Sequence, residues 1–107
     1  MAKSKVETYI GFAIKARKIA HGSGAISTLR GGVYLLIADG TAAKNTQKLS
    51  LKFKERFSCP LLICKYGFED AVNKAGCKIV ALRDRELSKA ILDSQDENYE
   101  LYSGGNV

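Results

Sequence analysis

The segment Val33-Tyr34-Leu35-Leu36-Ile37-Ala38 is six apolar residues in a row, preceded by Gly31-Gly32 and followed by Asp39-Gly40. A strand with one wet face alternates apolar and polar side chains. An unbroken run bounded by turn formers reads instead as a strand covered on both faces. A central strand of a parallel sheet is its natural home, so the rest of the chain has to supply cover above and below.

The flanking segments supply it. Ser4 followed three residues later by Glu7 fits a capping box, and Val6, Tyr9, Ile10, Ala13 and Ile14 fall on one helical stripe. Lys15, Arg17 and Lys18 crowd that helix's last turn, where cations favour the dipole's negative end. After Ile19 and Ala20, His21-Gly22-Ser23-Gly24 reads as a flexible joint whose serine caps a helix from about Gly24 to Arg30. Asp39-Gly40-Thr41 makes a turn into a longer helix, about Ala43 to Phe57, with Leu49, Phe53 and Phe57 inward. Pro60 opens a strand over Leu61 to Cys64. Gly67 leads to a short helix, Phe68 to Lys74, stopped by Gly76. Cys77 to Leu82 reads as another strand, and Asp84 caps a last helix carrying Leu87, Ala90, Ile91 and Leu92. This alternation predicts helices on both faces of a parallel or mixed sheet. The 107 residues allow one domain, residues 1–93. Residues 94–107 carry three acidic and no basic side chains and are expected to form a flexible tail.

Charge is unevenly spread along the chain. Residues 1–65 hold 12 basic and 3 acidic side chains, whereas residues 66–107 hold 5 basic and 8 acidic ones, within a net charge of +6. A local excess of cations suits a partner with a dense row of phosphates, although solvated lysines on helix faces give the same totals. No apolar run reaches the roughly 18 to 20 residues of a membrane span, and no signal sequence follows Met1, so a cytoplasmic protein without membrane contact is expected. Cys59, Cys64 and Cys77 lie in or beside apolar runs and read as small core hydrophobes. With His21 distant in sequence they match no zinc signature, and no metal or cofactor is expected.

Catalysis finds little support. Gly22-Ser23-Gly24 follows a helix rather than a strand, and Ser27 stands where a dinucleotide fingerprint needs its third glycine. Asp39, directly after the central run, is the best-placed carboxylate, but forming a turn with Gly40 is the ordinary role of such a residue. No nucleophile elbow, phosphate-loop lysine or carboxylate pair is present, so neither an enzyme nor a small-molecule substrate is expected. Binding fits better. The end of the first helix with Lys15 and Lys18, the loop His21 to Ala25, and the helix start with Lys44, Asn45 and Lys48 are expected to meet at one end of the domain. There small residues, helix amino termini and lysines would hold a phosphate backbone.

The stretches IGFAIKARKIAHGSGAI, VYLLIADGTAAKNTQKL, CPLLI and KIVALRDRELSKAIL, in this order over Ile10 to Leu92, resemble the ribosomal protein superfamily L-seven-Ae, L-thirty-e and S-twelve-e. Within it they are similar to the small bacterial YlxQ-like proteins. The resemblance implies a three-layer α/β/α sandwich with a mixed, largely parallel sheet of about four strands. It also implies a non-catalytic, monomeric RNA-binding protein associated with the ribosome, gripping kink-turns or related bent loops. The gripping segments correspond to Gly22–Thr28 and to a late loop over about Tyr66 to Gly76, which includes Lys74. Kink-turn binders of the superfamily carry an Asn-Glu pair and a following Lys in the first segment, where this chain has Gly24, Ala25 and Thr28. The implied recognition is therefore of RNA shape and backbone, with weakened or altered specificity. The alternative is a protein-interaction module on the same scaffold, using the altered loop and the tail tyrosines Tyr99 and Tyr102.

Overall fold

The computed structural model describes residues 4–103. Residues 1–3 and 104–107, the ends of the expected domain and tail, lie outside the described residues. Among the described residues five helices and five strands follow one another: α1 (Lys5–Lys15), β1 (Ile19–His21), α2 (Gly22–Ser27), β2 (Leu35–Asp39), α3 (Lys44–Phe57), β3 (Leu61–Cys64), α4 (Phe68–Val72), β4 (Ile79–Leu82), α5 (Arg85–Leu92) and β5 (Tyr99–Leu101).

All five residues of β2 are buried, as its unbroken apolar sequence requires. It lies at the centre of a five-stranded sheet of order β1-β4-β2-β3-β5. The strand's alternating side chains feed two separate cores. Leu35 and Ile37 join Val6, Ile10 and Ala13 of α1, Phe68 and Val72 of α4, and Ile91 of α5. Leu36 and Ala38 join Ile26 of α2 and Phe53 of α3 on the opposite face.

The sheet is mixed but not largely parallel. Among the described residues only β2 and β3 pair in parallel, joined through α3, while β1 and β5 each run antiparallel to their neighbour and β4 runs antiparallel to both β1 and β2. The count is five strands rather than about four, because two three-residue strands carry no pattern of their own. His21, expected to open a flexible joint, instead ends β1 together with Ile19 and Ala20, and this strand pairs with β4 in the register Ile19↔Leu82 and His21↔Val80. Tyr99–Leu101, expected in a flexible tail, pairs with β3.

Tyr99 is fully buried, and its hydroxyl lies 3.2 Å from Glu7 Oε2 at the other end of the chain. The expected capping box at Ser4 is therefore only half formed. Ser4 Oγ accepts from the Glu7 amide at 3.0 Å, while the Glu7 carboxylate is taken up by Tyr99. The domain thus extends at least to the last strand, because the polar sequence around Tyr99 conceals one large apolar anchor.

Helix α2 also departs from expectation. It starts at Gly22 and stops at Ser27, and Ser23 does not cap it; the N-cap residue is His21, with no side-chain bond to the helix. Gly22 has φ +87°, a left-handed geometry that glycine adopts without steric cost. The chain can therefore turn from β1 straight into the helix, with no room for a joint.

Candidate nucleic-acid interface

Strand directions define the two ends of the sheet. His21 of β1, Asp39 of β2 and Cys64 of β3 end their strands at one edge, where β4 begins. At this carboxyl edge α2 starts directly from His21, and α3 starts five residues after Asp39. Both helices pack on the same face of the sheet, and β1 and β2 are separated by one strand, which sets their ends about 10 Å apart.

Neither helix start has a side-chain cap or an acidic residue in its first turn. The starts of α1 and α5, by contrast, are capped by Ser4 and Asp84. First-turn amides without intrahelical partners carry the positive end of the helix dipole. Lys44 and Lys48 are exposed beside the start of α3, as is Asn45. Gly24 and Ala25 are exposed on α2 and Thr28 just beyond it, whereas Ser23 is half-buried. The hydroxyl of Thr28 donates back to the Ala25 carbonyl at 2.7 Å, so it is engaged by its own turn.

The late loop reaches the same place. Nε2 of His21 lies 3.2 Å from the Val72 carbonyl, which ties the end of β1 to the end of α4. The Gly22 amide lies beside the Cys77 sulfur and favours its thiolate, although burial is the stronger influence and pushes that thiol upward. Exposed Lys74 and Gly76 therefore sit next to the start of α2. Residues His21 to Ala25, Lys44, Asn45, Lys48, Lys74 and Gly76 share one edge, and among the described residues Lys44, Lys48 and Lys74 have no ion-pair partner.

Lys15 and Lys18 do not belong to this group. Lys15 ends α1 and Lys18 directly precedes β1, and the Lys18 carbonyl accepts from the Arg83 amide at 2.7 Å, beyond the far end of β4. A strand lies between a helix's end and the next helix's start, and it carries these lysines to the amino edge. A flexible joint, as the sequence suggests there, would leave the end of the first helix beside the start of the second, but the three-residue β1 separates them.

A polar network, of which the sequence marks out only Asp39, closes the carboxyl edge on its other face. Asp39 Oδ1 accepts from the amide and hydroxyl of Thr41 at 2.8 and 2.7 Å. Lys78 Nζ lies 3.4 Å from Asp39 Oδ2 and 2.8 Å from Glu69 Oε2, and Glu69 Oε1 accepts from the Gly76 amide at 3.0 Å. Burial pushes the Asp39 carboxyl upward, but the Thr41 bonds and Lys78 outweigh it and hold the group below its ordinary value. Asp39, Thr41, Glu69 and Lys78 border a shallow depression of about 330 Å³ that Asp70 also lines. Asp39 thus shapes the turn, as a residue before Gly40 ordinarily does. Gly40 is needed there: a Cβ would come within 2.9 Å of Ile63 and 3.1 Å of the Cys64 carbonyl.

The carboxyl edge is consequently polarised, cationic on the α2/α3 face and acidic around the start of α4, where Glu69 and Asp70 stand in the first turn. The cysteines take no part. All three are free and buried, and burial raises each thiol, Cys59 to about 11, so they stay protonated at neutral pH. Among the described residues no helix is long and apolar enough to cross a membrane.

No family model matches the sequence, and no curated protein matches it. Among solved structures, a protein of unknown function from Bacillus halodurans is similar over 85% of this chain and 96% of that one, with a TM-score of 0.71 and 20% sequence identity. At that identity the two chains share a fold.

Proposed function

We propose that the protein is a non-catalytic RNA-binding protein of the cytoplasm, associated with the ribosome, that holds structured RNA of kink-turn or related type at the carboxyl edge. In this reading the two-faced core is the three-layer α/β/α sandwich of the superfamily that the sequence resembles. The observation that carries the reading is the pair of uncapped helix starts on one face, flanked by exposed Lys44 and Lys48. Two such starts supply amide donors for phosphate oxygens, and the lysines add an attraction independent of sequence.

The same surface has few groups that read bases. Gly24 and Ala25 have no polar side chain, and the Thr28 hydroxyl is already bonded. Each bidentate base contact contributes about 1 to 3 kcal/mol of discrimination, so affinity is expected to exceed specificity. For the alternative, a protein-interaction module using the altered loop and the tail, Tyr99 offers no contact surface because it is a core residue.

Mobility shifts with a kink-turn RNA and a scrambled duplex, each over a salt series, test the proposal. The expected result is binding of both at low salt, with the kink-turn favoured by about tenfold or less. Lys44→Gln and Lys48→Gln should each flatten the salt dependence by about one unit of slope. Negligible binding of both RNAs at low salt would sink the reading.

A further inference from the structure

We infer that the amino edge of the sheet is a second RNA-binding surface, separate from the carboxyl edge and suited to single-stranded RNA. Three loops converge there. The Arg83 amide donates to the Lys18 carbonyl at 2.7 Å, and the Tyr34 amide donates to the Leu82 carbonyl at 2.9 Å. The Arg83 guanidinium reaches the Gly31 carbonyl at 3.5 Å. These contacts bring the end of α1, the segment after α2 and the start of α5 together, although they are far apart in sequence.

Each loop delivers cations. Lys15, Arg17, Lys18, Arg30, Arg83 and Arg85 are all exposed, and among the described residues none of them forms an ion pair. The neighbouring acids are Asp84, which is occupied in capping α5, and Glu86. Arg83 and Arg85 come from the acidic half of the chain, so a count of charge along the sequence hides their share of the patch.

An aromatic ring stands among the cations. Tyr34 is 40% exposed immediately before β2, all of whose residues are buried, and the Arg85 guanidinium lies 6.0 Å from its ring centre. A cationic surface around an exposed aromatic ring is the arrangement that binds single strands: the cations follow the phosphates and an unpaired base stacks on the ring. A closed duplex offers no free base face to Tyr34. The inference shares the RNA-binding reading of the previous section but uses none of its residues, so each can fail without the other.

The probe is a labelled ten-residue oligouridylate, with a blunt RNA duplex as comparison, titrated by fluorescence anisotropy at low salt. Tyr34→Ala is expected to weaken oligouridylate binding about tenfold and to change duplex binding less than twofold. The double substitution Arg83→Gln and Arg85→Gln should flatten the oligouridylate salt slope by about 1.4, or about 0.7 for each lost phosphate contact. Thermal unfolding of each variant separates lost binding from lost folding, and Tyr34→Phe, which keeps the ring, should bind normally. Absence of oligouridylate binding, or binding unchanged by the Tyr34 and arginine substitutions, overturns the inference. If the kink-turn RNA still binds in either case, the carboxyl-edge reading survives. If the arginine variants lose oligouridylate while kink-turn RNA never binds, the inference stands and that reading fails.

Discussion

Ser88 sits on the buried side of α5 at 2% exposure, and among the described residues its hydroxyl has no hydrogen-bond partner. A buried hydroxyl without a partner loses its hydration and regains nothing. Ser88→Ala is therefore expected to stabilise the protein by about 1 kcal/mol, seen as a higher urea midpoint at unchanged slope. Asp39 illustrates the opposite case, a buried charge fully engaged by Thr41 and Lys78. Its folded pKa lies below the unfolded value, so its ionised form favours the fold. That contribution is present above the unfolded value and disappears as pH falls through the folded one. Asp39→Asn is expected to cost on the order of 1 kcal/mol at pH 7. Urea titrations repeated toward pH 2 should show the gap from the original protein closing. A constant gap would mean that the charge contributes nothing.

At the scale of elements, legibility followed length and periodicity. Helix α3 was placed within one residue of its start because fourteen residues give its inward stripe several repeats, and β2 was evident from its unbroken apolar run. The strands β1 and β5 were missed because three residues cannot establish an alternation, and pairing with a neighbour decides their conformation. The candidate site suffered from the same omission. The Gly22 to Ala25 and Lys44 to Lys48 segments share one edge of the sheet as expected, whereas Lys15 and Lys18 lie at the other because a strand intervenes. Signals for the second patch were available in the KARK, LRGG and RDR segments; what the sequence withheld was their convergence. The strongest element-level expectation concerns β5. Tyr99→Ala should cost about 3 to 5 kcal/mol, as a large buried ring does when truncated, whereas Tyr99→Phe should lose only about 1 kcal/mol with its bond to Glu7. Equal losses in urea unfolding would mean that the bond, rather than the packing, holds the last strand.

Taken as a whole molecule, charge is organised by the direction of the strands and not by the order of the chain. The central strands are four or five residues long, which separates the two edges by about 13 to 17 Å. The Debye length is about 8 Å at physiological salt, so the two groups of cations scarcely sense each other there. Under the two proposals, phosphates bound at one edge neither repel nor recruit those at the other, and losses from substitutions at both edges should add. The sheet also ends on either side in a three-residue strand, β1 and β5. An outermost strand normally presents unpaired amides and carbonyls on which another chain can lay a strand of its own. Here that template is too short to nucleate a continued ladder, which disfavours edge-to-edge aggregation while leaving the charged ends of the sheet open.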